Sequence, residues 1–204
     1  MITNAMRIMI CTMEAKVDDI ITSYEEYIGG DVKIYASPGG PNSVLDKNER
    51  EAIGRDQYRS LVCKIMFFET KVGPKISNQV RDLARHMSNP GQQHWIALGR
   101  IVGYMKGIKL KGMIMKKPVD LRTVSLMDSD FAKDPVTRKS VGGELHTLEG
   151  YLIAFCSKGE KPISNSTAEA EYKISKFQQM LLDEMLMSKL QVFCWWTMKV
   201  VSFL

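Results

Sequence analysis

The sequence predicts a mixed protein of class α+β or α/β, in which a helical region precedes a layer of strands and one long helix. Two observations carry this prediction. Apolar residues recur at helical spacing between residues 56 and 106, and short apolar stretches separated by turn residues follow after residue 108. A last stretch, 167–188, returns to helical spacing. Neighbouring strands covered by a helix form a sheet-plus-helix layer with one shared core.

The composition fits a globular protein. The 204 residues are enough for one large domain or two small ones, and a hydrophobic content of 45 % allows a packed core. The net charge of +5 allows an anionic partner without demanding one. The four cysteines lie far apart with no C-x-x-C pair, which favours reduced thiols and predicts no zinc site. They are Cys11, Cys63, Cys156 and Cys194.

The two ends of the sequence predict an intracellular protein, cytoplasmic or nuclear, that does not enter a membrane. The first thirteen residues are interrupted by Asn4 and Arg7, a pattern unlike a signal or transit peptide. The apolar stretch Leu190–Leu204 is shorter than the ~20 residues of a membrane span, and it contains Lys199.

We divide the helical part of the chain into two segments, 1–55 and 56–107. The first is poorly specified, because glycine, proline and charged residues between 27 and 54 indicate an irregular linker. The second begins with an amphipathic helix over 56–68. It continues as a helical hairpin, with helices over 76–87 and 92–106, a turn at Ser88-Asn89-Pro90-Gly91, and Gly107 as the stop. The apolar side of the 56–68 helix consists of Tyr58, Leu61, Val62, Ile65 and Phe68.

The third segment, 108–204, is predicted to form the sheet-plus-helix layer. Strands are predicted over 109–115 and 123–128, then near Gly143 between Gly142-Gly143 and Glu149-Gly150, and over 151–156. The strand over 123–128 is apolar enough for a central place in a sheet. The last three strands should form an antiparallel meander that packs against the helix from Thr167 to about Ser188.

Asp128 and Glu171 are the candidate site residues in this layer. Asp128 ends an apolar strand, and Glu171 shares one side of the following helix with the apolar residues that face the sheet. Glu169 fits a structural role instead, because Ser166 at the cap and Glu169 three residues later form a capping box. A shared metal ion would give the two acids a partner. The alternative is that both lie at a solvated rim, with Glu171 stabilised by the helix dipole.

Several motifs, in order and spacing, resemble a copia-type retrotransposon polyprotein. The resemblance covers residues 56–187, with a faint start at Met13-Glu14, and it spans the end of the reverse transcriptase region and the RNase H domain that follows. The motifs are Tyr58-Arg59-Ser60-Leu61-Val62, His94-Trp95-Ile96-Ala97-Leu98, Asp128-Ser129-Asp130-Phe131-Ala132, Thr137-Arg138-Lys139-Ser140 and Ser166 to Tyr172.

This resemblance implies that Asp128 and Glu171 are ligands of catalytic Mg²⁺ or Mn²⁺ ions. It also implies an ancestral activity, the hydrolysis of RNA in RNA–DNA hybrids by a two-metal mechanism. Trp195-Trp196 stands where the family has its third acid. The fourth acid would lie beyond Leu204 and the polymerase aspartates before Met1. We therefore expect an incomplete RNase H-like domain, a remnant of the polyprotein without turnover.

Basic residues near the candidate site predict a second property, weak binding of an RNA–DNA hybrid or other nucleic acid. Lys116, Lys117, Arg138 and Lys139 could follow the phosphates. Equally, they could form an ordinary solvated surface. Two alternatives to the nuclease therefore stay open, a non-catalytic nucleic-acid-binding remnant and the inert product of a decayed element.

The histidines and Trp95 are predicted to have structural roles. His86, His94 and His146 lack the spacing of a metal site, which favours caps or packing. Trp95 shares helical spacing with Leu98 and Val102, as a core residue does.

Overall fold

Four α-helices build the main hydrophobic core of the part of the chain that this computed structural model describes, residues 8–40, 45–116, 122–130 and 140–159. Helix α1 packs against α2 and α4, and α2 also packs against α3. A 3-10 turn, Pro74–Ile76, connects α2 to α3. The helices are α1 (Glu14–Ile28), α2 (Arg55–Val72), α3 (Ser77–Ala84) and α4 (Gln92–Ile108).

Helix α2 confirms the predicted amphipathic helix. All five residues of its predicted apolar side are buried, and Tyr58, Val62 and Ile65 are fully enclosed. The helix extends four residues beyond the predicted end, to Val72, and Gly73 follows it. A Cβ at Gly73 would lie 2.8 Å from the Phe68 ring, so the absence of a side chain allows the chain to turn tightly over α2.

The predicted helical hairpin is present with shifted ends. Helix α3 is short and ends at Ala84, and the chain reaches α4 through irregular turns that contain Pro90. The prediction that Gly107 stops the second helix was wrong, because α4 continues through it to Ile108. Glycine lowers helix stability by only about 1 kcal/mol relative to alanine, so surrounding packing can carry a helix across it.

A two-stranded antiparallel ribbon joins distant parts of the chain. Strand β1 (Ile8–Cys11) pairs with strand β2 (Met113–Lys116), with Ile8 opposite Lys116 and Cys11 opposite Met113. The strand predicted over 109–115 therefore begins later than expected, since Lys109 and Leu110 still belong to the turn after α4. Strand β1 lies in the segment that the sequence left poorly specified.

A three-stranded sheet has the order β3-β4-β5 among the described strands, and it confirms the predicted antiparallel meander. Among the described strands β4 lies between β3 and β5, and the central place predicted for the strand beginning at Thr123 stays a prediction. The mixed α+β class is confirmed, and the RNase H-like domain stays a prediction. The strands are β3 (Thr123–Asp130), β4 (Val141–Leu148) and β5 (Tyr151–Gly159).

The chain divides into two units by its internal contacts. One comprises residues 1–125 and 145–157 and contains the helical core, and the other comprises 126–144 and 158–204. The boundaries predicted after residues 55 and 107 stay predictions. The predicted helix over 167–188 lies outside the described residues.

Candidate functional site

Asp128 lies in the second half of strand β3, and its side chain is exposed. Because side chains alternate along a strand, Leu126 and Asp130 project to the same side as Asp128. Leu126 is 57 % exposed and Asp130 is also exposed. Two carboxylates and one apolar side chain therefore share a solvent-accessible strip of β3.

The start of β3 is held in register by bonds to β4 and to the hairpin turn that follows it. Ser125 Oγ lies 2.9 Å from His146 Nδ1, and Thr147 Oγ1 donates to the Val124 carbonyl at 3.2 Å. His146 is buried, and this contact confirms its predicted packing role. The bonds fix the register of the strand that carries Asp128.

The turn between β4 and β5 consists of Glu149 and Gly150, both with positive φ, 49° and 82°. Two successive residues of this kind form the two-residue hairpin that matches the twist of antiparallel strands. The Glu149 N–H also donates to the Arg122 carbonyl at 3.0 Å, one residue before β3 begins. The sequence signal for this turn was the Glu149-Gly150 pair, and its prediction as a strand boundary is confirmed.

Four of the other predicted site residues lie outside the described part of the chain: Glu171, Lys117, Arg138 and Lys139. Lys116 ends strand β2, where its backbone lies opposite Ile8. Of the two predicted metal ligands, the described part of the chain contains Asp128. Within that part, no three His, Cys, Asp or Glu side chains cluster as a metal site would require.

Two lysines at the end of α4 and just after it form intramolecular ion pairs. Lys106 Nζ lies 2.8 Å from Glu25 Oε1, and Lys109 Nζ lies 3.1 Å from Asp18 Oδ1. The bond from Lys106 lowers the pKa of Glu25, and the same bond raises the pKa of Lys106. These lysines connect α4 to α1, whereas Lys111 is exposed to solvent.

Comparison with known proteins finds relatives that are about 30 % identical to this chain. The chain is 30 % identical over 115 residues to the secreted RxLR effector protein 161 of Plasmopara viticola, a match that covers 56 % of this chain and 81 % of that protein. It is 32 % identical over 132 residues to the retrovirus-related Pol polyprotein from transposon TNT 1-94 of Nicotiana tabacum. That match covers 65 % of this chain and 10 % of the polyprotein. The chain is similar to a segment of retrotransposon Pol polyproteins, consistent with a copia-type Pol fragment.

A third relative supports the same assignment. The Pol polyprotein from transposon RE2 of Arabidopsis thaliana is 31 % identical over 117 residues, which is 57 % of this chain and 8 % of the polyprotein. The chain thus spans a tenth or less of the length of these Pol polyproteins. No protein-family model matches the chain, and no solved structure does.

The hairpin turn between α3 and α4 is organised around a buried histidine, His94. His94 is fully buried, its Nδ1 accepts the Gly91 N–H at 2.8 Å, and its Nε2 lies 2.9 Å from the Asp46 carbonyl. The His86 ring stacks on it with centroids 4.1 Å apart. The predicted structural role, in a cap or in packing, is confirmed for both histidines. No local sequence pattern indicates the Asp46 partner, which lies 48 residues away.

Trp95 confirms its predicted place in the core. It is 7 % exposed, stacks on Tyr27 at 3.9 Å between centroids, and meets Tyr58 edge-on at 5.4 Å. Its indole N–H donates to the Ile53 carbonyl at 2.8 Å, which satisfies the one polar atom of the ring. The residue therefore joins α4 to the linker and does not present a surface for stacking bases.

Two further features of the described residues concern membrane-spanning helices and cysteine pairs. No helix among them is both long enough and apolar enough to cross a bilayer. Cys11 and Cys63 are not in disulfides, and Cys194 lies outside the described part of the chain.

Proposed function

We propose that residues 108–204 correspond to the RNase H-like region of a copia-type Pol polyprotein and that this chain does not cleave RNA–DNA hybrids. Asp128 would be one metal ligand and Glu171 the other. The observation that carries the proposal is the exposed Asp128 carboxylate on a strand of an antiparallel sheet, within a chain whose relatives are Pol polyproteins.

Asp128 has the access that a hard cation needs. Mg²⁺ keeps several of its water molecules, so it binds to carboxylates that project into solvent and not to enclosed ones. Asp128 is exposed, and Asp130 projects from the same side of β3 two residues later. When bound, a divalent cation would activate water and stabilise the leaving oxygen.

The apolar side chains of β3 next to Asp128 favour a further element that packs on them. Leu126 and Met127 project to opposite sides of the strand, yet they are 57 % and 40 % exposed. Apolar strand residues gain about 25 cal/mol for each Å² that another element covers. We propose that the amphipathic stretch 167–188 packs on the Leu126 side, which would bring Glu171 to Asp128.

The absence of turnover follows from the proposed number of ligands. Two carboxylates can hold one ion, but two ions about 4 Å apart need further carboxylates between them. Trp195-Trp196 occupies the positions where the family has its third acid, and indole rings do not bind Mg²⁺.

An activity assay tests this proposal directly. Purified full-length chain is incubated with a labelled RNA–DNA hybrid and either Mg²⁺ or Mn²⁺, beside an unrelated active ribonuclease H. We expect no cleavage by the chain. Metal-dependent cleavage that disappears in Asp128→Asn would disprove the inactive assignment while supporting the site.

A binding measurement tests the site independently of activity. Mn²⁺ broadens the NMR signals of nuclei close to it, so a titration of the full chain should broaden signals from β3 first. Asp128→Asn should abolish this selective broadening, and Asp19→Asn, a matched change of an exposed acid on α1, should leave it intact. Equal broadening in wild type and Asp128→Asn would remove Asp128 as a ligand.

A further inference from the structure

The ribbon β1–β2 carries sulfur atoms on one side. Met9 lies opposite Met115, and Cys11 lies opposite Met113. Residues two apart on a strand project to the same side, as do directly opposed residues on paired strands. The sequences Met9-Ile10-Cys11 and Met113-Ile114-Met115 therefore place one thiol and three thioethers together.

The spacing of two of these sulfurs suits a shared metal ion. Cys11 Sγ and Met115 Sδ, diagonal neighbours across the ribbon, are 3.8 Å apart. With metal–sulfur bonds of about 2.3 Å, two ligands of one tetrahedral ion lie about 3.8 Å from each other. Opposed side chains on paired strands start about 5 Å apart, and methionine has three rotatable bonds, so Met9 and Met113 can reach the same point.

The ribbon is turned so that its sulfur side is the more sheltered one. On this side Cys11, Met113 and Met115 are half-buried and Met9 is 43 % exposed, whereas Ile10 and Ile114 on the other side are 61 % and 53 % exposed. Burial of apolar area alone would favour the opposite orientation, because isoleucine is buried more often than methionine. The sheltered side thus carries the atoms with ligand chemistry.

Gly112 holds the Cys11 end of the ribbon closed. A Cβ on Gly112 would lie 2.4 Å from the Cys11 carbonyl oxygen and 2.8 Å from Thr12 Cγ2. Only glycine allows the two strands to approach so closely just before β2 begins. The backbone at Cys11 therefore lies close to the start of β2.

We propose that Cys11, Met115, Met9 and Met113 form a binding site for a soft monovalent metal ion, Cu(I). Thiolate and thioether ligands select Cu(I) over hard cations such as Mg²⁺. On binding, the Cys11 thiol releases its proton to solvent, and the thiolate neutralises the ion while the thioethers contribute no charge. No oxidation or reduction is involved. This site is separate in chemistry from the carboxylate site proposed for Asp128.

The test is an anaerobic titration of the full chain with Cu(I) in competition with a coloured Cu(I) chelator. We expect one ion per chain. Cys11→Ser and Met115→Leu should each weaken binding at least tenfold, because each removes one of the two closest sulfurs. The matched controls Cys63→Ser and Met66→Leu, which change an exposed thiol and an exposed thioether on α2, should leave the affinity unchanged.

Thermal unfolding gives a second measurement that does not depend on the chelator. A ligand that binds the folded state raises Tm, so Cu(I) should raise the Tm of wild type and of Cys63→Ser but not of Cys11→Ser. Zn²⁺ should raise none of them. Equal Cu(I) affinity in Cys11→Ser and Cys63→Ser, or no uptake at all, would overturn the proposal and leave the sulfurs as packing groups.

Discussion

At the scale of single residues, His94 shows how hydrogen-bond partners fix a protonation state. The Gly91 N–H can only donate, so Nδ1 must accept, and the Asp46 carbonyl can only accept, so Nε2 must carry the proton. The buried ring is therefore neutral. Burial lowers the pKa of His94, and the bond to Asp46 opposes this shift. Burial also lowers the pKa of His86, and neighbouring His94 and Arg85 lower it further.

These pKa values predict a loss of stability in mild acid. Both histidines bind protons more weakly in the folded chain than in the unfolded chain, whose value is near 6.5. The free energy of unfolding should therefore be constant with pH above about 6.5 and fall as the pH drops below that value, until the folded-state pKa is passed. Urea unfolding at a series of pH values measures this dependence.

A variant assigns the effect to the buried ring. His94→Gln cannot be protonated, so its unfolding free energy should change less with pH between 6.5 and 5 than that of wild type. We expect the variant to lose about 2–4 kcal/mol at pH 7.5, because a buried ring and two hydrogen bonds are replaced by a smaller group. An identical pH dependence in both proteins would show that other groups titrate in this range.

At the scale of elements, helix α4 is shaped by glycines that repeat every fourth residue. Gly99, Gly103 and Gly107 lie on one side of the helix, since residues four apart are neighbours on its surface. A Cβ at Gly99 would lie 2.0 Å from the Tyr24 hydroxyl, and one at Gly103 would lie 2.0 Å from the Lys33 carbonyl oxygen. Because these positions have no side chain, α1 and the linker can pack directly against the backbone of α4.

Two substitutions on this side of α4 should change stability by different amounts. Gly103→Ala should destabilise the chain by more than about 2 kcal/mol, because the linker backbone at Lys33 must move. Gly107→Ala, whose Cβ would lie 3.0 Å from the Ile34 Cγ2 methyl group and 3.8 Å from the Tyr35 carbonyl oxygen, should change stability by less than about 1 kcal/mol. Thermal unfolding of both variants provides the comparison, and similar Tm values would contradict this role of Gly103.

Periodicity explains which elements could be predicted from the sequence. The buried side of α2 and the core position of Trp95 followed from local apolar spacing, and the β4–β5 hairpin followed from its turn residues. Helix α1 carried a usable signal, with Val17, Ile20, Ile21 and Tyr24 buried at spacings of three and four residues. This helix was not predicted, because the glycine, proline and charged residues nearby made segment 1–55 look irregular.

Pairing between distant segments was beyond local patterns. Strands β1 and β2 are separated by about a hundred residues, and nothing in either four-residue stretch specifies the other. The position of β4 between β3 and β5 likewise depends on its pairing with β3, a strand that lies earlier in the chain. For the candidate site, the motif predicted Asp128 on a strand, and its exposure could be known only from the folded chain.

At the scale of the whole molecule, charge limits what the chain can do to nucleic acid. The excess of five positive charges is small, and Lys106 and Lys109 are already bound to Glu25 and Asp18. These two lysines are therefore not available to neutralise phosphates. A non-catalytic binding function would depend on the predicted surface formed by Lys116, Lys117, Arg138 and Lys139.

Salt dependence separates a binding protein from an inert one. If the four predicted residues contact phosphates, the logarithm of affinity for an RNA–DNA hybrid should fall with the logarithm of salt concentration, with a slope of about −0.9 per contact by analogy with B-form DNA. We expect weak binding without sequence preference. Fluorescence anisotropy of a labelled hybrid, measured from low salt upward, gives the slope, and no binding at low salt would favour an inert product.

The decisive comparison is between two quadruple variants with the same net charge. Replacing Lys116, Lys117, Arg138 and Lys139 by serine should flatten the slope, because the counterions that these residues displace are no longer released. The matched control replaces four exposed basic residues elsewhere, Lys16, Lys33, Lys47 and Arg59, and should leave the slope close to that of wild type. An equal loss in both variants would mean that overall charge attracts the hybrid, and a loss in the control alone would place the contacts on the helical part of the chain.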